Sequence, residues 1–141
     1  MSETPPDSRV IRIGGVFTER FAGAVRFGTV SRVSIRVELD AVAEEVGRWG
    51  FGYLITVSDD GRPHVLALVP TAIGDGSPLL RFDAGGGRAC RNAAARPDIA
   101  VVFPPAPHSD GFSLVLDGSA TVDGSYVDVT VTSALLHRPA P

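Results

Sequence analysis

After residue 50 the chain consists of short apolar stretches separated by turns that contain glycine, and this spacing limits the folds that it can form. The Asp-Gly pair at the end of residues 58–61 favours a hairpin between two of these stretches. Many short strands with frequent glycine turns are typical of a barrel or a sandwich rather than a parallel sheet. We therefore predict a mainly β fold, a β-barrel with a few short helices. The predicted strands are residues 51–57, 62–70, 79–82, 99–103, 112–116, 119–122 and 126–131, with a turn at 74–77.

Two segments have helical character. In residues 38–49, Leu39, Val42 and Val46 fall on one apolar stripe at helical spacing, and a glycine follows the segment. Residues 88–96 are rich in alanine and are followed by a proline, which ends a helix. Both segments are predicted to be helices.

The N-terminal part of the chain, residues 1–36, is an arginine-rich extension. Its first eight residues are polar and contain proline, so we expect them to be disordered. Residues 31–37 alternate polar and apolar side chains, which is typical of a half-buried strand. We expect the extension to be partly disordered or a β arm, and residues 37–141 to form a single domain.

Charge and cysteine content exclude several classes of function. The net charge is −3, which gives no general attraction to nucleic acid or to anionic lipid. No apolar stretch reaches the length of a membrane span, and the first residues lack the pattern of a secretory signal. The single cysteine, Cys90, cannot form an internal disulfide. We therefore expect a cytoplasmic protein. We expect no metal site, because His108 and His137 lack partners at ligand spacing.

Four segments carry a resemblance to a known family, and in order they are GYLITVSDDGRPHV (52–65), RACRNAAARPDIAVVF (88–103), LVLDGSATV (114–122) and ALLHRPA (134–140). In this order the chain resembles the flavin-binding split-barrel proteins grouped with pyridoxamine 5'-phosphate oxidase, over residues 39–140. The last segment is similar to the ending of a bacterial subgroup. The resemblance implies a split β-barrel of the FMN-binding type.

The segment GGGRACRN, residues 85–92, has the features of a phosphate site. Glycines let a ligand approach the backbone, the start of the helix presents free amides, and arginines add forked donors. By resemblance, Arg88 takes the place of the family's phosphate-binding basic residue. Many relatives have a hydroxyl residue and a second basic residue on either side of that position, where this chain has a glycine and an alanine. We expect cofactor contacts from Gly86, Gly87, Arg88, Arg91 and Asn92.

The resemblance also implies the residues beside the flavin ring. The family uses the return strand of the first hairpin, which makes His64, Val65 and Leu66 candidates, together with Phe82 and Asp83 at the end of a neighbouring strand. Two ordinary interpretations stand beside this one. His64 would be a strand residue with a satisfied ring, and the glycines would form a flexible turn next to solvated arginines.

The function that the resemblance implies is hydride transfer between FMN, or a deazaflavin coenzyme, and an unknown small substrate in a homodimer with the flavin at the subunit boundary. The cofactor supplies the redox chemistry, so no side chain needs to act as a catalytic acid or base, and none is assigned. The alternative is a non-enzymatic protein that binds a flavin or another small ligand in a degenerate site.

Overall fold

The computed structural model describes residues 32–74 and 78–141. These residues form an antiparallel sheet with two short helices, which confirms the mainly β prediction. The strands are β1 (Arg32–Arg36), β2 (Gly52–Val57), β3 (Pro63–Leu68), β4 (Thr71–Ile73), β5 (Leu79–Asp83), β6 (Asp98–Phe103), β7 (Ser113–Asp123) and β8 (Tyr126–Pro139). The helices are α1 (Val42–Val46), which follows a 3-10 turn at Leu39–Ala41, and α2 (Arg88–Ala95).

The strand order is β3-β2-β6-β7-β8-β5-β4, and β1 pairs with the second half of β8. Strand β8 is long enough to have two neighbours on the same side, because its first half pairs with β5 and its second half with β1. The two end strands, β3 and β4, follow each other in the chain and are separated only by Val69 and Pro70. The sheet therefore curves until its two ends are connected by the backbone, as in an incompletely closed barrel.

The core lies on the inner face of this curved sheet. Strands β2, β6, β7 and β8 alternate buried and less buried residues, so that one side of each strand points inward. The largest fully buried side chains belong to all parts of the sheet: Leu54, Leu80, Phe82, Phe103, Phe112, Leu114, Leu116 and Leu136. Helix α2 adds Ala89 and Ala93 to the same cluster.

The first helix is shorter than predicted. Residues 38–49 have the expected apolar stripe, but the α-helix comprises only five of them. Its end is tightened by hydrogen bonds from the Arg48 amide to the Glu45 carbonyl and from the Trp49 amide to the Val46 carbonyl, which span three residues instead of four. The stripe is still used, because Val42, Val46 and Trp49 are buried.

The prediction of three short strands after residue 111 is wrong, because β7 and β8 are each continuous. The Asp117-Gly118 pair lies inside β7, next to a register shift that leaves Thr132 of β8 as an extra residue. A Cβ atom on Gly118 would lie 2.5 Å from Val129 Cγ1 and 2.7 Å from the Thr130 carbonyl oxygen. This glycine therefore permits a close approach of two strands at a β-bulge instead of a turn.

The short strand β4 was not predicted. Strand β1 belongs to the segment 1–36 that was expected to be an extension outside the domain. It pairs with β8 over its whole length, so it is part of the sheet. The rest of the expected extension, residues 1–31, and most of the expected turn at 74–77 lie outside the described residues.

The bulge generates a prediction about stability. We expect Gly118→Ala to lower the free energy of unfolding by about 1–3 kcal/mol, because the new methyl group would overlap the Val129 side chain and the Thr130 backbone. Chemical denaturation of both proteins measures the difference. The matched control is Gly50→Ala, where no atom lies within 4 Å of the added methyl group. Equal stability of the two variants would contradict the packing role of Gly118.

Candidate functional site

The glycine loop and the start of α2 form the predicted phosphate site. Gly85 and Gly86 have φ angles of 72° and 77°, a region that residues with side chains rarely adopt. Gly87 occupies the N-cap position of α2, and no side chain caps the helix there. The first amides of the helix therefore point away from it without an intrahelical acceptor.

The loop is fixed to the turn between β7 and β8. The Ala84 amide donates to the Ser125 carbonyl at 2.9 Å, and one carboxylate oxygen of Asp83 accepts from the Gly85 amide and the Ser125 hydroxyl at 3.2 Å each. The Cys90 thiol, on the first turn of α2, lies 3.5 Å from the same Ser125 carbonyl. These contacts hold the beginning of α2 at a defined place beside the sheet.

The other end of α2 is held by the β2–β3 hairpin. The buried Asn92 donates from Nδ2 to the Thr56 hydroxyl at 3.1 Å and to the Ser58 hydroxyl at 3.3 Å. Arg96 donates from Nε to the Val57 carbonyl at 2.9 Å and forms an ion pair with Asp59. Because both ends of the short helix are fixed, the orientation of its exposed side is fixed as well.

That exposed side carries Arg88 and Arg91, which are three residues apart and therefore adjacent on the helix surface. Neither side chain makes a hydrogen bond or an ion pair within residues 32–74 and 78–141, and the first turn of α2 contains no acidic residue. Two cations on the first turn also lie near the positive end of the helix dipole. The described chain thus leaves a concentration of positive charge that an anion would neutralise.

The three predicted residues of β3 point to two sides of the sheet. His64 lies opposite Thr56 on β2, the residue that receives the Asn92 hydrogen bond, and its buried Nδ1 atom has no partner among the described residues. Leu66 points to the same inner face and packs against the core. Val65 points outward and is 54% exposed.

The structure brings part of the predicted set together. One surface contains the exposed Gly86 and Gly87 and the two arginines of α2. Asp83 holds the loop by accepting a hydrogen bond from the Gly85 amide. Phe82 is fully buried in the core. Asn92 is also buried, and its hydrogen bonds to Thr56 and Ser58 are directed into the protein. Sequence reasoning did not identify Ser125 and Arg96 as supports of the site. The Asp-Gly turn before Ser125 and the proline after Arg96 were the available signals.

A second group of ionisable residues lies at α1 and the loop after β6. The Glu45 carboxylate is buried, accepts from Trp49 Nε1 at 3.3 Å and lies 3.9 Å from His108 Nε2. Burial raises the pKa of Glu45, against the opposing effects of Trp49 and Arg48, and burial lowers the pKa of His108. His108 also packs edge-on against Trp49, with ring centroids 4.8 Å apart. These contacts connect the loop after β6 to the segment that contains α1.

A third group, on β5 and β8, consists of ion pairs. Arg81 donates to both carboxylate oxygens of Asp128 at 2.8 Å and lies over the Tyr126 ring at 4.4 Å. The hydrogen bonds between them raise the pKa of Arg81 and lower the pKa of Asp128. The ion pair between Arg81 and Asp128 links the paired strands β5 and β8. A further contact joins Arg81 Nη2 to Asp123 Oδ2 at 3.3 Å.

Several solved structures have the same fold as this chain. A Mesorhizobium loti FAD-binding protein matches 78% of this chain and 99% of its own, with 14% identity and a TM-score of 0.56. A Mycobacterium smegmatis FAD-binding protein matches 77% and 100%, with 15% identity and a TM-score of 0.55. A candidate pyridoxamine 5'-phosphate oxidase of Lactobacillus delbrueckii matches 65% and 88%, with 18% identity and a TM-score of 0.51. The fold is a split β-barrel like that of these proteins, as predicted.

Sequence comparison identifies the family. The uncharacterized proteins Mb0449c of Mycobacterium bovis and MT0457 of Mycobacterium tuberculosis are each 36% identical to this chain, with 74% of this chain and 82% of each relative covered. The chain belongs to the same family as these mycobacterial proteins. No protein-family model matches the sequence. No helix in residues 32–74 or 78–141 is long and apolar enough to cross a membrane.

The support of α2 generates a prediction. We expect Asn92→Ala to lower the free energy of unfolding by about 1–3 kcal/mol, because the Thr56 and Ser58 hydroxyls lose their donor and a cavity is left. Thermal or urea unfolding measures the loss. Ala94→Ser, on the exposed side of the same helix, is the control and is expected to change the stability by about 0.5 kcal/mol or less. A stability of Asn92→Ala equal to that of the control would contradict the role given to Asn92.

Proposed function

We propose that the protein binds a flavin-type cofactor, FMN or a deazaflavin coenzyme, at the N-terminal end of α2 and uses it to transfer a hydride to or from a small substrate. The observation that carries the proposal is the pair Arg88 and Arg91, which is exposed beside an uncapped helix start and has no carboxylate partner in the described part of the chain. An anionic group is the natural ligand of such a pair.

The loop suits a phosphate in shape as well as in charge. Apart from the adjacent residues of the chain, no atom of the described residues lies within 4 Å of a Cβ added to Gly85 or Gly87, and at Gly86 only the Ser125 Cβ atom comes as close as 4.0 Å. The space beside the loop is therefore free for phosphate oxygens. The helix amides and the two guanidinium groups of α2 would donate to those oxygens.

The residues expected near the ring also fit a planar heterocycle. Strand β3 is an end strand of the described sheet, so one row of its backbone amides and carbonyls has no partner strand. The buried Nδ1 atom of His64 is a further polar group without a hydrogen bond. When bound, a flavin supplies the hydride chemistry, while these groups of the chain would orient the ring and keep water from it.

Two of the similar structures are of proteins named for FAD binding, which supports a flavin-type cofactor in general. The choice among FMN, a flavin with a longer tail and a deazaflavin coenzyme is part of the proposal.

We propose that a second copy of the chain covers the outer face of the sheet, so that the flavin lies at the subunit boundary. One row of paired positions across five strands is apolar and carries no charge: Ala67, Tyr53, Val102, Val115 and Leu135. Beside it, Phe51 packs edge-on against Tyr53 and is 39% exposed, and Val69 is 70% exposed. An extended apolar surface with exposed aromatic side chains is typical of a subunit interface.

A second candidate function is non-enzymatic binding of a flavin or another small ligand. The positions on either side of Arg88 favour it, because Gly87 has no side chain and Ala89 is 2% exposed. Neither supplies the hydroxyl or the second cation that many relatives have there. Bleaching of the bound flavin by a nicotinamide donor would support the enzyme, whereas a bound flavin that no donor reduces would support the binding protein.

Equilibrium titration with FMN, FAD and a deazaflavin coenzyme, followed by flavin fluorescence, tests the cofactor proposal. We expect saturable binding of at least one of the three, and Arg88→Ala to weaken it about tenfold or more, because a charge-assisted contact to the phosphate is lost. Arg62→Ala is the control and should bind like the wild type, because it removes another exposed guanidinium that has no partner among the described residues. The absence of binding for all three cofactors would contradict the proposal.

Sedimentation of the wild type and of Tyr53→Glu tests the proposed interface. The wild type should sediment as a dimer, and the variant as a monomer at the same concentration, because a carboxylate would be buried in the apolar row. Ala72→Glu, on the exposed face of β4, is the control and should remain dimeric. A wild-type monomer, or a dimeric Tyr53→Glu variant, would show that this face is not the interface.

A further inference from the structure

The loop after β6, residues 104–111, is attached to the turn that follows α1. The His108 ring packs edge-on against Trp49, with ring centroids 4.8 Å apart. A tight turn makes this part of the loop stiff, because the Ala106 carbonyl accepts from both the amide and the hydroxyl of Ser109 at 2.9 Å. Since His108 lies inside this turn, its ring moves together with the loop.

The loop meets a buried acid at this point. The Glu45 side chain is buried, and its Oε2 atom accepts from Trp49 Nε1 at 3.3 Å. The Nε2 atom of His108 lies 3.9 Å from the same oxygen, which is too far for a hydrogen bond. This nitrogen is buried and has no hydrogen-bond partner within residues 32–74 and 78–141. Because a buried polar atom without a partner costs free energy, a proton between the two groups would stabilise the contact.

The net charge of this pair depends on the number of protons that it holds. Without a proton, a carboxylate is buried beside a neutral imidazole. With two protons, an imidazolium is buried beside a neutral acid. With one proton the pair has no net charge in total, if the proton stays on the carboxyl group. Since burial disfavours a charged group, the interior favours the state with one proton.

The surroundings favour Glu45 as the carrier of this proton. Burial raises the pKa of Glu45, against the opposing effects of the Trp49 hydrogen bond and the Arg48 charge, while the Glu44 charge adds to the rise. Burial lowers the pKa of His108, and the positive charge of Arg48 lowers it further. A protonated carboxyl group and a neutral imidazole are a hydrogen-bond donor and an acceptor, so they complement each other.

The other groups around the loop leave this contact to Glu45 and His108. Asp110 is the only charged residue in the sequence of the loop, and it is directed to β8, where Arg138 Nη1 lies 3.2 Å from its Oδ2 atom. On the side of β6, Trp49 packs against the uncharged Phe103 with ring centroids 6.4 Å apart. The attachment of the loop to α1 therefore depends on the proton of the pair.

We propose that Glu45 and His108 hold one proton between them, as a hydrogen bond from the carboxylic acid to Nε2, and that this proton fastens the loop 104–111 to α1. Loss of the proton leaves a buried carboxylate opposite an acceptor without a donor, so the loop loosens. Because the pKa of Glu45 is raised in the folded protein, the stabilisation is complete at acidic pH and is lost as the pH rises through that pKa. The switch goes beyond the proposed cofactor and does not depend on it.

The experiment is an NMR titration of the ¹³C- and ¹⁵N-labelled full chain between about pH 4 and about pH 9. The Glu45 carboxyl carbon reports its protonation, and the His108 ring protons report packing against the Trp49 ring. We expect Glu45 to ionise above the ordinary glutamate value of about 4.3, and the His108 signals to change with the same midpoint. The ratio of open to attached loop should rise about tenfold for each pH unit by which the pKa is raised.

A matched pair of variants separates the buried acid from its exposed neighbour. Glu45→Gln has a neutral side chain at every pH, so the transition of the His108 signals at the Glu45 midpoint should disappear. Glu44→Gln, on the exposed side of the same helix, is the control and should keep that transition. The wild-type carboxyl signal supplies the test independently if Glu45→Gln does not fold.

Three results would overturn the proposal. Ionisation of Glu45 at or below the ordinary glutamate value would exclude the held proton. Ionisation of Glu45 without a change in the His108 signals would exclude the attachment of the loop, and so would a transition that persists in Glu45→Gln. The flavin titration has no bearing on these results, since neither Glu45 nor His108 belongs to the proposed cofactor site.

Discussion

The structure depends on the fixation of one eight-residue helix at both ends. At its start, Ser125 and Asp83 hold the glycine loop, and at its end Asn92 and Arg96 bind to the β2–β3 hairpin. A helix this short is not stable by itself in water, so these contacts and its buried alanines keep it folded. Because α2 cannot rotate about its axis, Arg88 and Arg91 stay together on the surface next to the free amides of the helix start. The repulsion between their two positive charges therefore persists.

The same sheet serves two purposes on its two faces. The inner face is filled by leucine, valine and phenylalanine side chains, and the close approach at Gly118 lets β7 and β8 run together for their whole length. The outer face has an uncharged apolar row over β3, β2, β6, β7 and β8, and the bulge at Thr132 lies in β8 close to the end of this row. A β-barrel normally needs only one apolar face, so an apolar outer face indicates a function at that surface.

Much of the fold could be predicted from local patterns, and the rest depended on contacts between distant parts of the chain. The 58–61 turn and the alanine-rich helix were recognisable because glycine, proline and helical spacing act locally. Gly118 could not be interpreted in this way, since an Asp-Gly pair reads as a turn, and only the nearness of Thr130 explains the glycine inside a strand. For the site, the glycine loop and its arginines were recognisable, whereas the bracing by Ser125 and the burial of Phe82 follow from strand pairing that the sequence does not reveal.

The central claim is that the guanidinium groups at the start of α2 hold the anionic tail of a planar cofactor. A crystal structure of the protein grown with saturating FMN tests it most directly. The account predicts phosphate density within hydrogen-bonding distance of Arg88 and of the Gly86–Gly87 backbone, with the ring along the free edge of β3. Density for the flavin at another place, or an empty α2 loop in crystals that contain the cofactor, would contradict it.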